Sequence, residues 1–223
     1  MSAAASNASR ADLEQRATQD DPAALNALAA ALWVGEDGPR DRARALELYE
    51  RAARAGHPDA AFRLGMLLDD GTAVAPDEAR ALAYFRAAAA AGDMEAAHNV
   101  GAAYAGARGV PRDYVEALAW LLLAERRGDT SGAADELRLH LSTPRFRAQL
   151  DAAKQRLEAL ATELSLGPMT RYLPPPVSPP ARLLTDLESP STAEPLTANA
   201  PSERVTVLLP TGRRLSWPSA RVL

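Results

Sequence analysis

The sequence predicts an all-α solenoid of paired helices closed by a capping helix at each end, followed by a proline-rich linker and a short C-terminal segment. Two observations carry this reading. A phrase recurs three times, as Ala45-Leu46-Glu47-Leu48-Tyr49, Ala81-Leu82-Ala83-Tyr84-Phe85 and Ala117-Leu118-Ala119-Trp120-Leu121. Each phrase follows an aspartate (Asp41, Asp77, Asp113) and closes at a glycine (Gly56, Gly92, Gly128), all at intervals of 36 residues. Self-similarity at this period marks stacked supersecondary units, each burying its apolar face against the next. Secondly, most of the chain's 17 prolines fall from Pro168 onward, where the helical pattern stops.

Taken in order, residues 1–9 are small and polar and belong to no unit. A helix over 11–19 is a half-repeat acting as an N-terminal cap, because Leu13 and Ala17 lie one period before Tyr49 and Ala53. Asp21-Pro22 supplies an N-cap and a first-turn proline for the next helix. In the second unit, Pro58–Asp70 carries Ala61, Leu64, Gly65 and Leu68 on one stripe, and Gly71 ends it. Asp77 then caps a second helix by accepting from first-turn amides, and that helix ends at Gly92. Asp113-x-x-Glu116 has capping-box spacing in the third unit. After Gly128 one half-unit continues over 132–141 through Ala133, Ala134, Leu137 and Leu141. Ser142-Thr143-Pro144 signals a fresh start, and Phe146, Leu150, Ala153, Leu157, Leu160 and Leu164 form the stripe of a long C-terminal capping helix reaching Gly167.

Residues 168–202 read as a linker with extended polyproline stretches, and the P-x-x-P match at Pro176–Pro179 reads as spacer. In 203–223, Val205–Leu209 and Arg213–Trp217 are two short strands around Pro210-Thr211-Gly212. The organisation is thus a tail (1–9), a solenoid (10–167), a linker (168–202) and a C-terminal segment (203–223).

Composition bounds the function. The apolar fraction is 47%, charged residues 24% and aromatics 5%, the profile of a soluble protein with a thin, alanine-rich core. With no cysteine, disulfides, thiolate nucleophiles and Cys-ligated metals are excluded. The N-terminal residues lack a signal-peptide pattern and no run reaches the length of a membrane span, so the cytoplasm is the expected compartment. The formal charge of −4 divides unevenly: residues 1–167 are acidic and residues 168–223 basic. An acidic body argues against nucleic acid as a partner. The single lysine, Lys154, among 25 basic residues points to a GC-rich genome.

The run Val100-Gly101-x-x-Tyr104-x-x-Ala107-x-Gly109-Val110-x-x-Asp113-x-x-x-Ala117-x-x-Trp120 resembles the Sel1-like repeat, a relative of the tetratricopeptide repeat, and Leu64-Gly65 through Tyr84-Phe85 matches it too. The first unit is degenerate, with Leu28-Ala29 and Asp37-Gly38 where the pattern has Leu-Gly and Gly-Val. The resemblance spans roughly 21–133. It implies a right-handed α/α solenoid mediating protein–protein contacts, often in bacterial regulatory or envelope systems, and it implies no reaction.

The residues themselves offer little chemistry. His57, His98 and His140 stand without carboxylate or histidine neighbours at metal or triad spacing, and are read as solvated or capping groups. No phosphate-binding glycine loop or nucleophile motif occurs, so neither cofactor nor metal is expected. What remains is a surface. By analogy with the tetratricopeptide fold, the concave face is lined by first-helix positions, which gives Asn26, Trp33, Phe62, Met66, Asp69, Asp70, Glu95 and His98 as a candidate peptide groove. Large apolar groups beside an acidic rim suit a protein or peptide segment. Trp33 and Phe62 equally suit space-filling against a neighbouring helix. Two functional readings follow: an adaptor or regulator, and an enzyme or enzyme subunit drawing acid and base from Asp69, Asp70, Glu95 and His98. The basic C-terminal segment, with Arg204, Arg213, Arg214 and Arg221 beside Val205, Val207, Leu209 and Trp217, suits docking on this chain's own groove or on another protein.

Overall fold

The computed structural model describes residues 9–71, 74–165 and 168–175, together with the backbone of 204–208 and 214–218. The described helices are α1 (Arg10–Ala17), α2 (Pro22–Val34), α3 (Arg42–Arg54), α4 (Pro58–Asp70), α5 (Glu78–Ala90), α6 (Met94–Gly106), α7 (Tyr114–Arg126), α8 (Ala133–Leu141) and α9 (Arg147–Ser165). A 3-10 turn, Met169–Tyr172, follows α9. Two strands, β1 (Arg204–Leu208) and β2 (Arg214–Pro218), pair antiparallel.

The period is built from backbone accounting. Helices α2, α4 and α6 begin 36 residues apart because the same two devices stop and start the chain each time, while α8 begins 39 residues after α6. At the turn into each second helix, Asp41, Asp77 and Asp113 donate their own N–H to Leu32, Leu68 and Tyr104 in the last turn of the preceding helix, at 2.9–3.2 Å. Their carboxylates accept from first-turn amides of Arg44, Arg80 and Val115. Each Asp therefore satisfies orphan groups of two helices at once. At the far end, His57, Asp93 and Asp129 donate to Ala52, Ala88 and Ala124, across glycines held at φ 89°, 107° and 108°. This is the closure expected where a left-handed residue ends a helix.

The second and first helices of neighbouring units interlock through small residues. Ala45, Ala81 and Ala117, with Ala52, Ala88 and Ala124, are almost fully buried. In the repeated Leu-Gly pair, Gly65 sits under the Phe85 ring and Gly101 under Leu121. A Cβ at either position would lie 2.7 Å from that side chain. The glycine is thus a socket for the bulky residue of its own unit's second helix, and in the degenerate unit the equivalent position is Ala29, which is fully buried.

Three sequence expectations are corrected in detail. The capping box of the third unit is only half formed: Asp113 accepts from Val115 and Glu116 amides, but the Glu116 carboxylate turns to Arg156 at 2.5 Å. Helix α9 begins at Arg147 rather than at Pro144, because the Phe146 amide closes a turn onto Thr143 while its ring packs 5.0 Å from His140. His98 and His140, expected to be solvated or capping, are both buried.

Residues 168–175, which composition assigns to the linker, form a strap over the second-helix side. The turn Met169–Tyr172 lies against α5, with Met169 buried and the Tyr172 ring between the guanidinium groups of Arg86 and Arg171. Arg54 donates to the Pro174 carbonyl at 3.0 Å. Residues 176–203, including the P-x-x-P match, lie outside the described residues, as do 1–8 and the expected turn at Pro210–Gly212.

Candidate functional site

The candidate groove residues lie on the first helices of their units, α2, α4 and α6. Repeat-equivalent positions align as Asn26, Phe62 and His98; Ala30, Met66 and Ala102; Trp33, Asp69 and Ala105. On α2 and α4 every one of these is half-buried. Trp33 closes α2 under the Arg42 guanidinium, 5.2 Å from the ring centre. Phe62 leans on Phe85 at 5.8 Å, and Met66 packs on the same core. These side chains are each part core, part surface. The buried Oδ1 of Asn26 has no hydrogen-bond partner among the described residues.

The rim is less acidic than its composition implies. Asp69 is paired with Arg108 at 2.5 Å, both side chains about a fifth exposed. Asp70 and Glu95 are exposed. Sequence reasoning missed Arg108, which reaches Asp69 from the turn after α6; a separation near one repeat length is the signal that links them.

His98 differs most from expectation. Its Nδ1–H donates to Asp129 Oδ2 at 2.8 Å, from the loop before α8. Ser131 donates its hydroxyl to the same oxygen at 2.9 Å, and its amide to Oδ1 at 2.9 Å. Burial alone would raise the Asp129 carboxyl, but the bonds from His98 and Ser131 hold it below the usual carboxylate range. Histidine, aspartate and serine are adjacent here, yet serine and carboxylate both sit beside Nδ1. A nucleophilic triad needs them on opposite ring nitrogens, so this cluster serves as a clamp tying α6 to the next unit.

Among the described residues no group of three metal-binding side chains converges, and no helix is long and apolar enough to cross a membrane. A pocket of about 150 Å³ opens away from the groove, between α1 and α3, beside Glu14, Arg44, Glu47 and Arg51. That is below the size of ordinary small-molecule sites.

Comparison with known proteins agrees with this geometry. The Sel1 repeat model matches residues 22–57, 58–93 and 95–129, the first two running from one first-helix start to the next. The chain carries three Sel1 repeats over these residues, within an α-solenoid fold. Its structure resembles that of a Sel1 repeat protein from Oxalobacter formigenes, with 26% identity and a TM-score of 0.52 over 67% of this chain and 96% of that one. It also resembles c5321, a protective antigen of uropathogenic Escherichia coli strains displaying an SLR fold, with 25% identity and a TM-score of 0.54 over 71% of this chain. The match spans about a third (34%) of the antigen's chain. No curated protein matches the sequence.

Proposed function

We propose that the protein is a non-enzymatic adaptor that holds a peptide or protein segment on its concave, first-helix face. The observation that carries this is the half-exposure of Trp33, Phe62 and Met66 on adjacent helices. Each is anchored in the core yet presents an apolar edge, which is how interface anchors keep a fixed rotamer before binding. The Asp69–Arg108 pair beside them offers one carboxylate and one guanidinium to a partner's polar rim. The strap 168–175 lies on the second-helix side, against α5, and so leaves Trp33, Phe62 and Met66 uncovered by it. Both similar structures come from bacteria, which supports a bacterial setting for the same role.

The test is selection of peptides from a random display library on the full-length protein, followed by titration monitored through methyl resonances of Ala30 and Met66. Bound peptide should shift both, and Met66→Asp should abolish binding while the protein still melts cooperatively. Selected peptides that leave those resonances unmoved, or bind Met66→Asp equally well, would overturn the reading.

A further inference from the structure

We propose that the C-terminal hairpin is an internal ligand of the groove, seated in cis on α6 and α8 and competing there with the partner. This rests on the adaptor reading and adds the groove's regulation and the chemistry of what it takes. The register pairs Val205 with Trp217 and Val207 with Leu215. Cross-strand partners share a face and neighbours along a strand alternate. One face therefore carries Val205, Val207, Leu215 and Trp217, and the other carries Arg204, Thr206, Ser216 and Arg214 with Leu208 and Pro218. A two-stranded hairpin with one apolar face is marginal in water and needs a surface against it.

The solenoid supplies one. The backbone of β1 runs beside α6 and that of β2 beside α8, both first helices. Helix α6 is also the one whose groove positions are closed: His98 is 8% exposed, Ala102 1% and Ala105 0%, while their equivalents on α2 and α4 are half-exposed. Residue size follows the same division. Trp33 and Met66 stand where α6 has Ala105 and Ala102, so the third unit offers a flat shelf where the first two offer knobs. A flat apolar sheet face fits a shelf.

Charge and tether favour the same chain as occupant. The tail is basic and the solenoid acidic. Residues 176–203 link strap and hairpin, and a flexible chain of that length spans about 30 Å, enough to pass from the second-helix side to the first. Tethering gives an effective concentration on the order of a millimolar. A contact of about 0.1 mM in trans would thus be about 90% closed in cis, and a partner needing the α6–α8 shelf would bind about tenfold more weakly than to an open groove. The groove's preferred ligand is then a short extended segment with alternating apolar residues flanked by arginine.

The experiment compares the full-length protein with the full-length double variant Val207→Glu, Trp217→Glu, whose changes lie outside the solenoid core. Methyl resonances of Ala102 and Ala105 should shift in the variant while Ala30 stays in place, and a synthetic 203–223 peptide should restore them saturably. Peptides selected on the variant that shift its Ala102 and Ala105 resonances should bind it about tenfold more tightly than they bind the wild type. Coincident Ala102 and Ala105 resonances would overturn the docking. Shifted resonances with unchanged peptide affinity would overturn the competition. Dilution-dependent resonances in the wild type, with sedimentation as a dimer, would place the hairpin on a second copy and overturn the assignment in cis. Because the adaptor test reads Ala30 and Met66 and the docking test reads Ala102 and Ala105, failure of one is distinguishable from failure of the other.

Discussion

At the residue scale, the repeat's glycines divide into sockets and turns. Gly101 is a socket: an added Cβ would meet Leu121 Cγ at 2.7 Å and the Ala117 carbonyl oxygen at 3.0 Å. Alanine gains up to about 1 kcal/mol in helix propensity, but overpacking a tight contact costs about 1–3 kcal/mol, and a backbone oxygen cannot rotate away. Gly101→Ala should therefore lower stability in urea denaturation; equal or greater stability would show that α6 and α7 shift apart freely. Gly109 is a turn at φ 65°, and a Cβ there would lie inside the backbone of Glu78, so two costs combine.

His140 gives the pH dependence. It occupies the position of Leu32, Leu68 and Tyr104 in the earlier units, buried between Tyr114 and Phe146. Its Nε2 has no hydrogen-bond partner among the described residues. Burial lowers its pKa below the ordinary 6.5, so the unfolded chain takes up the proton first. Stability is then full above 6.5 and falls as pH drops below it toward the folded value. His140→Leu should flatten the melting temperature between about pH 7 and 5.5 relative to wild type. Parallel curves would assign the pH dependence elsewhere. Asp129, lowered by His98 and Ser131, acts in the same direction but only in the acid range below the ordinary 3.8.

At the scale of elements, α9 is the cap the stripe predicts. Ala153, Leu157, Leu160 and Leu164 are buried against α7, and Arg156 joins Glu116 and Glu163 at 2.5 and 2.7 Å. Stacked units bury their apolar faces against their neighbours, and α9 is the long helix that covers α7. Deleting 142–167 should give aggregation or loss of cooperative melting; a soluble chain with an unchanged midpoint would contradict this. The strap is a smaller element. A half-buried aromatic between two guanidinium groups is worth roughly 1 kcal/mol, so Tyr172→Ala should lower the midpoint by a few degrees, checked by calorimetry.

At the scale of the whole molecule, the side-chain ties measure how far coupling reaches. Arg108 to Asp69, His98 to Asp129, Arg127 to the Ala89 carbonyl and Tyr84 to Glu50 span 39, 31, 38 and 34 residues, close to one repeat. Couplings should follow the same range. Tyr84→Phe with Glu50→Gln should be non-additive by at least 0.5 kcal/mol, and Leu32→Ala with Leu137→Ala additive within about that amount, both read from denaturant midpoints. Strong coupling between Leu32 and Leu137 would mean that the solenoid transmits strain beyond adjacent units.

The sequence by itself determined the helix pairs, their 36-residue phase, the aspartate and glycine punctuation and the C-terminal cap, because these depend on local capping and on one apolar stripe per helix. It also placed the candidate groove residues on common helical stripes. Stacking of the units decided the partners of several of them. Asp69 is answered by Arg108, His98 by Asp129, and Glu116 leaves its own cap for Arg156, each through a contact made one repeat away by stacking. The start of α9 moved past Pro144 because Phe146 found His140, a ring from another helix. The seat of the 168–175 strap on α5 was likewise invisible in a proline-rich composition. Proline content reports backbone stiffness, whereas docking depends on Met169, Tyr172 and two arginines from α3 and α5 meeting in space.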